Sequence, residues 1–205
     1  MMTKKIQCNM QKKTEQKNFI TKKQWRQLTS EQVYENSWIS VSHDTVITPG
    51  GSQGIYGCVH FKNHAVGILA IDKLGWTWLV QQTRYPHGVM TWEIPEGGSP
   101  ADESCLNSAK RELLEEVGLE ATIWSEWLQL QLSNSITDEV ATIYLAQDLS
   151  QNHTRHEDTE DISVKHLPLK KAVQMVHSGE IVDAMSVASL LKAACDKRFM
   201  NFLED

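Results

Sequence analysis

The sequence is poor in several things that would place a protein at once. No run approaches eighteen apolar residues, and the first thirty residues carry lysine, glutamine and threonine where a secretory leader needs an apolar centre. Neither a membrane partner nor a signal peptide is expected, and a cytoplasmic location is. Cysteine is sparse and scattered: Cys8, Cys58, Cys105 and Cys195 form no Cys-x-x-Cys pair and no Cys/His cluster at zinc spacing. A structural zinc site and a disulfide framework are therefore not expected, and the four are read as reduced thiols. Positive charge is in deficit, 20 Lys and Arg against 26 Asp and Glu, and the net charge of -6 argues against nucleic acid as a partner. There is no internal repeat and no low-complexity segment.

What is present suffices for one sizeable core with an appended arm, since 205 residues with 40% hydrophobic content would cramp two large domains. Residues 1–24 hold lysines at 4, 5, 12, 13, 17, 22 and 23 and read as a flexible basic arm. From Trp38 the pattern turns to β-branched and aromatic segments, WISVSHDTVITP, GIYGCVHF, AVGILAI and WTWLVQQTRY, split by turn chemistry in PGGSQG, KNH and DKLG. WEIPEGGSP breaks the strand pattern. Residues 101–117 then place Leu106, Ala109, Leu113 and Val117 at spacings of three and four, an amphipathic helix with Ser99 or Asp102 as candidate caps and Gly118 at its end. Strands resume in ATIWSEWLQLQL and VATIYLAQDL around the polar loop SNSITDE; a short strand ISVKHL and two helices close the chain. This order predicts an α+β fold, layered α/β/α, rather than a doubly wound parallel sheet or a helix bundle.

The helix carries the chemistry. A helical residue turns the chain by about 100°, so Glu112, Glu115 and Glu116 share one face, where their charges repel unless cations intervene. Hard divalent ions take oxygen ligands completed by water and substrate phosphate, and this face suits them. Arg111 is placed to pair with Glu115 one turn on. Gly97 and Gly98 permit a close backbone path to metal or phosphate. Glu103, at the helix start, serves either the helix dipole and loop or the metals.

Gly97, five residues, Glu103, seven residues and then Arg111-Glu112-Leu113-x-Glu115-Glu116-x-Gly118-Leu119 fill every position of the Nudix box, so the chain resembles the Nudix hydrolases. The resemblance runs from about Trp25 to Leu191. VYENSWISVSHDTVITPGGSQGIYGCVHF, QQTRYP and WEIPEGG make it similar to the ADP-ribose and nucleoside-diphosphate-sugar pyrophosphatases. It implies an α/β/α Nudix domain with a central mixed sheet at 63–205, and an amino-terminal β-region at 25–62 through which a homodimer forms and reaches the partner's active site. The implied reaction is hydrolysis of the diphosphate in a nucleoside-diphosphate sugar, giving a monophosphate and a sugar phosphate, with two or three Mg²⁺ or Mn²⁺ ions.

The resemblance also implies roles for particular residues. Metal ligands would be Glu112, Glu116, the neighbouring Glu115 and the main-chain carbonyl of Glu96. A further acidic residue for metal binding or base catalysis would come from HEDTEDISV, with Glu160 first and Asp158 second. Arg84 would bind the substrate phosphate or sugar, or else make a salt bridge at a strand end. Trp38 would stack on a base across the dimer, or else fill a core or interface. Ser133, Asn134, Ser135, Asp138 and Glu139 would offer hydrogen bonds from a loop closing over the sugar, or else simply make the turn. PEGG in place of the family's Pro-Ala-Gly turn, and the missing proline in SNSITDE, favour a broad substrate range that takes in ADP-ribose and GDP-mannose. The alternatives are a nucleotide-sugar-binding module without catalysis, which retention of every box glutamate disfavours, and a nucleoside triphosphate pyrophosphohydrolase.

Overall fold

A computed structural model describes residues 24–152 and 162–204. Strands β1 (Arg26–Glu35), β2 (Ile39–Ile47) and β3 (Gln53–Phe61) form an antiparallel amino-terminal sheet in that order. β1 is exposed along its whole length, so no hydrophobic alternation marks it in the sequence.

The main body is built on β4 (His64–Ala70), whose alternating side chains face two different cores. β4 lies in a mixed sheet ordered β7-β4-β9-β8, with β7 at Glu96–Ser99, β8 at Leu119–Gln131 and β9 at Val140–Gln151. β4 and β9 run parallel, and the other pairs are antiparallel. Val66 and Ile68 pack with Ala109, Leu113 and Val117 of α1 (Cys105–Val117). Leu69, on the opposite face, packs in a core with residues of α2 (Leu169–Ser178) and α3 (Ala184–Cys195). A second sheet, β10-β5-β6, is made by β5 (Trp76–Arg84), β6 (Val89–Glu93) and β10 (Ser163–Pro168). It is split the same way, with Leu79 in one core and Val80 in the other. This is the α+β, α/β/α arrangement expected; the burial of each large aliphatic side chain stabilises it by about 2 kcal/mol. Among the described residues no helix is long and apolar enough to cross a membrane.

Three local expectations are corrected. The EGGS stretch is strand β7, paired with β4 from His64↔Ser99 to Gly67↔Glu96, although Gly-Gly reads as a strand breaker. The helix begins at Cys105, and its cap is Ser104, whose hydroxyl accepts from the Asn107 amide at 3.2 Å. Gly118 ends it as expected, at φ 68°, its amide donating to Leu114 O. Finally, Cys58 and Cys195 are free, but Cys105 is disulfide-bonded, which spacing along the chain does not announce.

Candidate active site

α1 meets β7 along its acidic face, and the glycines of β7 make the contact possible. A Cβ on Gly97 would lie 2.2 Å from the Glu112 carboxyl carbon, so only glycine lets that carboxylate seat against the strand. One turn on, Glu116 is buried, and its Oε2 accepts from the Glu96 amide at 3.0 Å. Two carboxylates of one helix are thus held against two successive residues of one short strand.

Arg111 offsets part of the crowding. Its Nη1 lies 2.9 Å from Glu112 and 2.8 Å from Glu115, its Nη2 donates to the Gly98 carbonyl at 3.1 Å, and its Nε stands 3.7 Å from Glu103. Burial works against the guanidinium's charge, but Glu112, Glu115 and Glu103 outweigh it and raise the Arg111 pKa. Glu103 also accepts from the Ser108 hydroxyl at 2.7 Å, and Ser108 lies 2.9 Å from the Ser99 hydroxyl. Those contacts tie the start of α1 to the end of β7.

A second cluster abuts the first. Arg84, ending β5, places Nε at 2.9 Å and Nη2 at 2.5 Å from Glu93 Oε2, and its Nη2 also donates to Glu96. Burial, followed by the charge of Asp183, pushes the Glu96 carboxyl well above the usual carboxylate range, and Arg84 only partly restrains it. Glu96 Oε2 is buried and lacks a hydrogen-bond partner among the described residues. Arg84 thus makes a salt bridge at a strand end. Glu93 and Asp183 escaped the sequence reading. Glu93 stands inside WEIPEGG, whereas Asp183, the α3 cap accepting from Ser186 N at 2.7 Å, gives no sequence sign of lying near it.

The remaining expected residues lie outside these two clusters. Trp38 sits between β1 and β2, 68% exposed, its amide bonded to the Asn36 side chain. Ser133 makes the turn after β8 with φ 47°, its carbonyl accepting from the Ile136 amide at 2.9 Å and the Thr137 amide at 3.0 Å. Asn134 is exposed at that turn. Glu139 is partly buried, and burial together with neighbouring Asp138 pushes its carboxyl up. Glu160 and Asp158 lie outside the described residues.

The donor set suits a hard divalent cation, with Glu112 seated where a Cβ would otherwise stand and the buried Glu116 beside it. Among the described residues no group of three or more histidine, cysteine, aspartate or glutamate side chains is arranged to hold a metal ion.

Comparison with known proteins gives the chain its relatives. Residues 62–190 match the family described as the NUDIX domain, and residues 25–59 match the nucleoside diphosphate sugar hydrolase N-terminal domain. An ADP-ribose pyrophosphatase of Mycobacterium tuberculosis is 33% identical over 168 residues, spanning 80% of each chain. One from Bacillus subtilis is 28% identical over 165 residues, 80% of this chain and 89% of that one. A crystal structure of an ADP compounds hydrolase shares the fold at a TM-score of 0.75 and 21% identity, covering 84% of this chain and 93% of its own.

Proposed function

The chain is a member of the Nudix family and a hydrolase, and from that premise we propose that it cleaves the diphosphate of nucleoside-diphosphate sugars. The substrates are of the ADP-ribose and GDP-mannose type, and the products are a nucleoside monophosphate and a sugar phosphate. One observation carries the reading: two carboxylates of the acidic face of α1 are seated on β7, Glu112 against Gly97 and Glu116 on the Glu96 amide. The match of residues 25–59 to a nucleoside-diphosphate-sugar hydrolase segment supports the substrate class.

Enzymes of this family work with divalent metal ions. In our reading Glu112, Glu115, Glu116 and the Glu96 carbonyl hold two or three Mg²⁺ or Mn²⁺ ions, with Glu160 as further ligand or base and Asp158 as its substitute. When bound, such ions neutralise diphosphate charge and acidify a coordinated water. The chain's own work is orientation. Arg111 holds Glu112 and Glu115 on the metal-facing side, and Arg84 fixes Glu93 and Glu96. Substrate contact by Arg84 would use the third of its side chain that stays exposed. Ser133, Asn134 and Glu139 line the sugar side, and Trp38 stacks on the base from a partner copy. The exposed Leu28, Val33, Tyr34 and Ile55 of the amino-terminal sheet favour a homodimer through that sheet.

A panel of nucleoside-diphosphate sugars, dinucleotides and deoxynucleoside triphosphates, run with Mg²⁺ and with Mn²⁺, tests this. Monophosphate from ADP-ribose and GDP-mannose is expected, with a loss of about a thousandfold in Glu116→Gln. Dominant pyrophosphate release from the triphosphates would overturn the substrate class.

A further inference from the structure

The loop between β8 and β9 is held by the amino-terminal sheet of its own chain. Residues 136–138 lie parallel to the free edge of β3, with Val59↔Thr137 as the bridge. The Val59 amide donates to Ile136 O at 2.9 Å and the Asp138 amide to Val59 O at 3.2 Å. The Tyr56 hydroxyl reaches the Ser135 carbonyl. Asp138 is the centre of this junction: its Oδ1 accepts from the Phe61 amide at 3.0 Å, and its Oδ2 lies 2.7 Å from His60 Nδ1. On the far side of the ring, His60 Nε2 stands 3.2 Å from the Ser42 hydroxyl.

Ser42, His60 and Asp138 are connected in the order of a nucleophilic triad, but the backbone excludes that use. Ser42 is buried midway along the central strand, opposite Gln32 on one side and Cys58 on the other. Neighbouring amides committed to strand ladders leave no pair of donors for a developing oxyanion. What the relay can do is fix a ring and, through it, a loop.

That loop stands beside the site. Ala141, just after it, pairs with Ala65, and Ala65 pairs with Gly98, whose carbonyl Arg111 binds. Two strand spacings amount to about 10 Å. His64, opposite Ser99, also reaches across to Thr142 at 2.8 Å, so the start of β9 and the end of β7 share one end of the sheet.

We propose that Asp138 is a positioning residue for substrate: through His60 and the Phe61 amide it fastens the loop to β3 as an added strand and so holds Ser133, Asn134 and Glu139 at the sugar side. This rests on the functional reading above. Asp138 itself, spent on β3, leaves sugar contact to its neighbours. The amino-terminal sheet therefore shapes the site of its own chain, whatever it does for a partner copy.

The test uses the full chain and its Asp138→Ala, Asp138→Asn and His60→Gln variants. Measurements are ADP-ribose hydrolysis with Mg²⁺, mass in solution, and amide hydrogen exchange across residues 133–139. In Asp138→Ala the KM should rise roughly tenfold with a smaller change in kcat, and exchange in the loop should accelerate. Asp138→Asn keeps an acceptor for the Phe61 amide and should recover part of the affinity, while His60→Gln should fall between the two. Solution mass should stay that of the unaltered protein. A KM within twofold of the parent, or unchanged loop exchange, overturns the proposal. A loss of dimer accompanying the KM change would assign the effect to the partner copy and overturn it as well. If the parent hydrolyses no nucleoside-diphosphate sugar, the functional reading falls on its own account, and loop exchange still decides the clamp.

Discussion

Arg111 and Arg84 are nearly equally exposed, at 38% and 35% of the side chain, and each meets more than one carboxylate. They differ in what surrounds those carboxylates. The partners of Arg111 sit on or beside one helix; Glu112 is as closed as Glu96, at 13%, but Glu115 and Glu103 remain close to a third exposed. The partners of Arg84 come from β6 and β7 and are almost closed to solvent, Glu93 at 3% and Glu96 at 13%. Exposed pairs contribute little to stability, because water and salt compete with them, whereas losing one member of a buried pair strands the other's charge. Arg111 should therefore matter to the arrangement of the acidic face, and Arg84 to whether the face has a floor.

The largest effect should come from Arg84→Ala. Discounted for its exposed edge, it should cost about 2 kcal/mol and lower the melting temperature by roughly 4–8 °C. A melting temperature equal to that of Arg111→Ala would break the comparison. Gly97→Ala should come next, with the reverse signature. The methyl displaces the far end of a flexible side chain, so melting should shift little while kcat falls by roughly ten- to a hundredfold as Glu112 leaves its seat. Arg111→Ala should change stability by less than about 1 kcal/mol, yet lower kcat/KM roughly tenfold, because Glu112 and Glu115 lose their common tether. Unchanged kinetics in that variant would mean the carboxylates orient without it.

The smallest effect belongs to neither arginine. Burial of His64 lowers its pKa below the ordinary 6.5, so the folded state prefers the neutral ring. Below 6.5 the unfolded chain then binds more protons than the folded one, and stability falls as pH drops from 6.5 towards the lowered folded value. Above 6.5 the contribution is fully present. His64→Gln should flatten that acid-side loss by under about 1 kcal/mol, measurable by urea denaturation at two pH values.

The acidic helix was legible because its information is local. Glu112, Glu115 and Glu116 share a face by spacing alone, and Gly118 ends the helix where it stands. The site around it was only half legible. Gly97 and Gly98 look like a break when read as residues, and become strand β7 because β4 offers them a partner. Arg84, Glu93, Glu96 and Asp183 are joined by packing that no periodicity encodes, and Asp183 is separated from the others by most of the domain. Asp138 was noticed as a polar group in a loop; its partner could not be inferred, since nothing along the chain connects it to His60.

The strand added to β3 also has a consequence for how the chain assembles. His60 and Asp138 are separated by 78 positions, so their meeting requires β4, β8 and β9 to be in place before the contact returns any free energy. Closing such a span costs entropy that the assembled sheet offsets, so the junction is expected to form late in folding. A junction absent from the transition state slows unfolding without hastening folding. Weakening it should therefore leave the refolding rate almost untouched and shorten the lifetime of the native state.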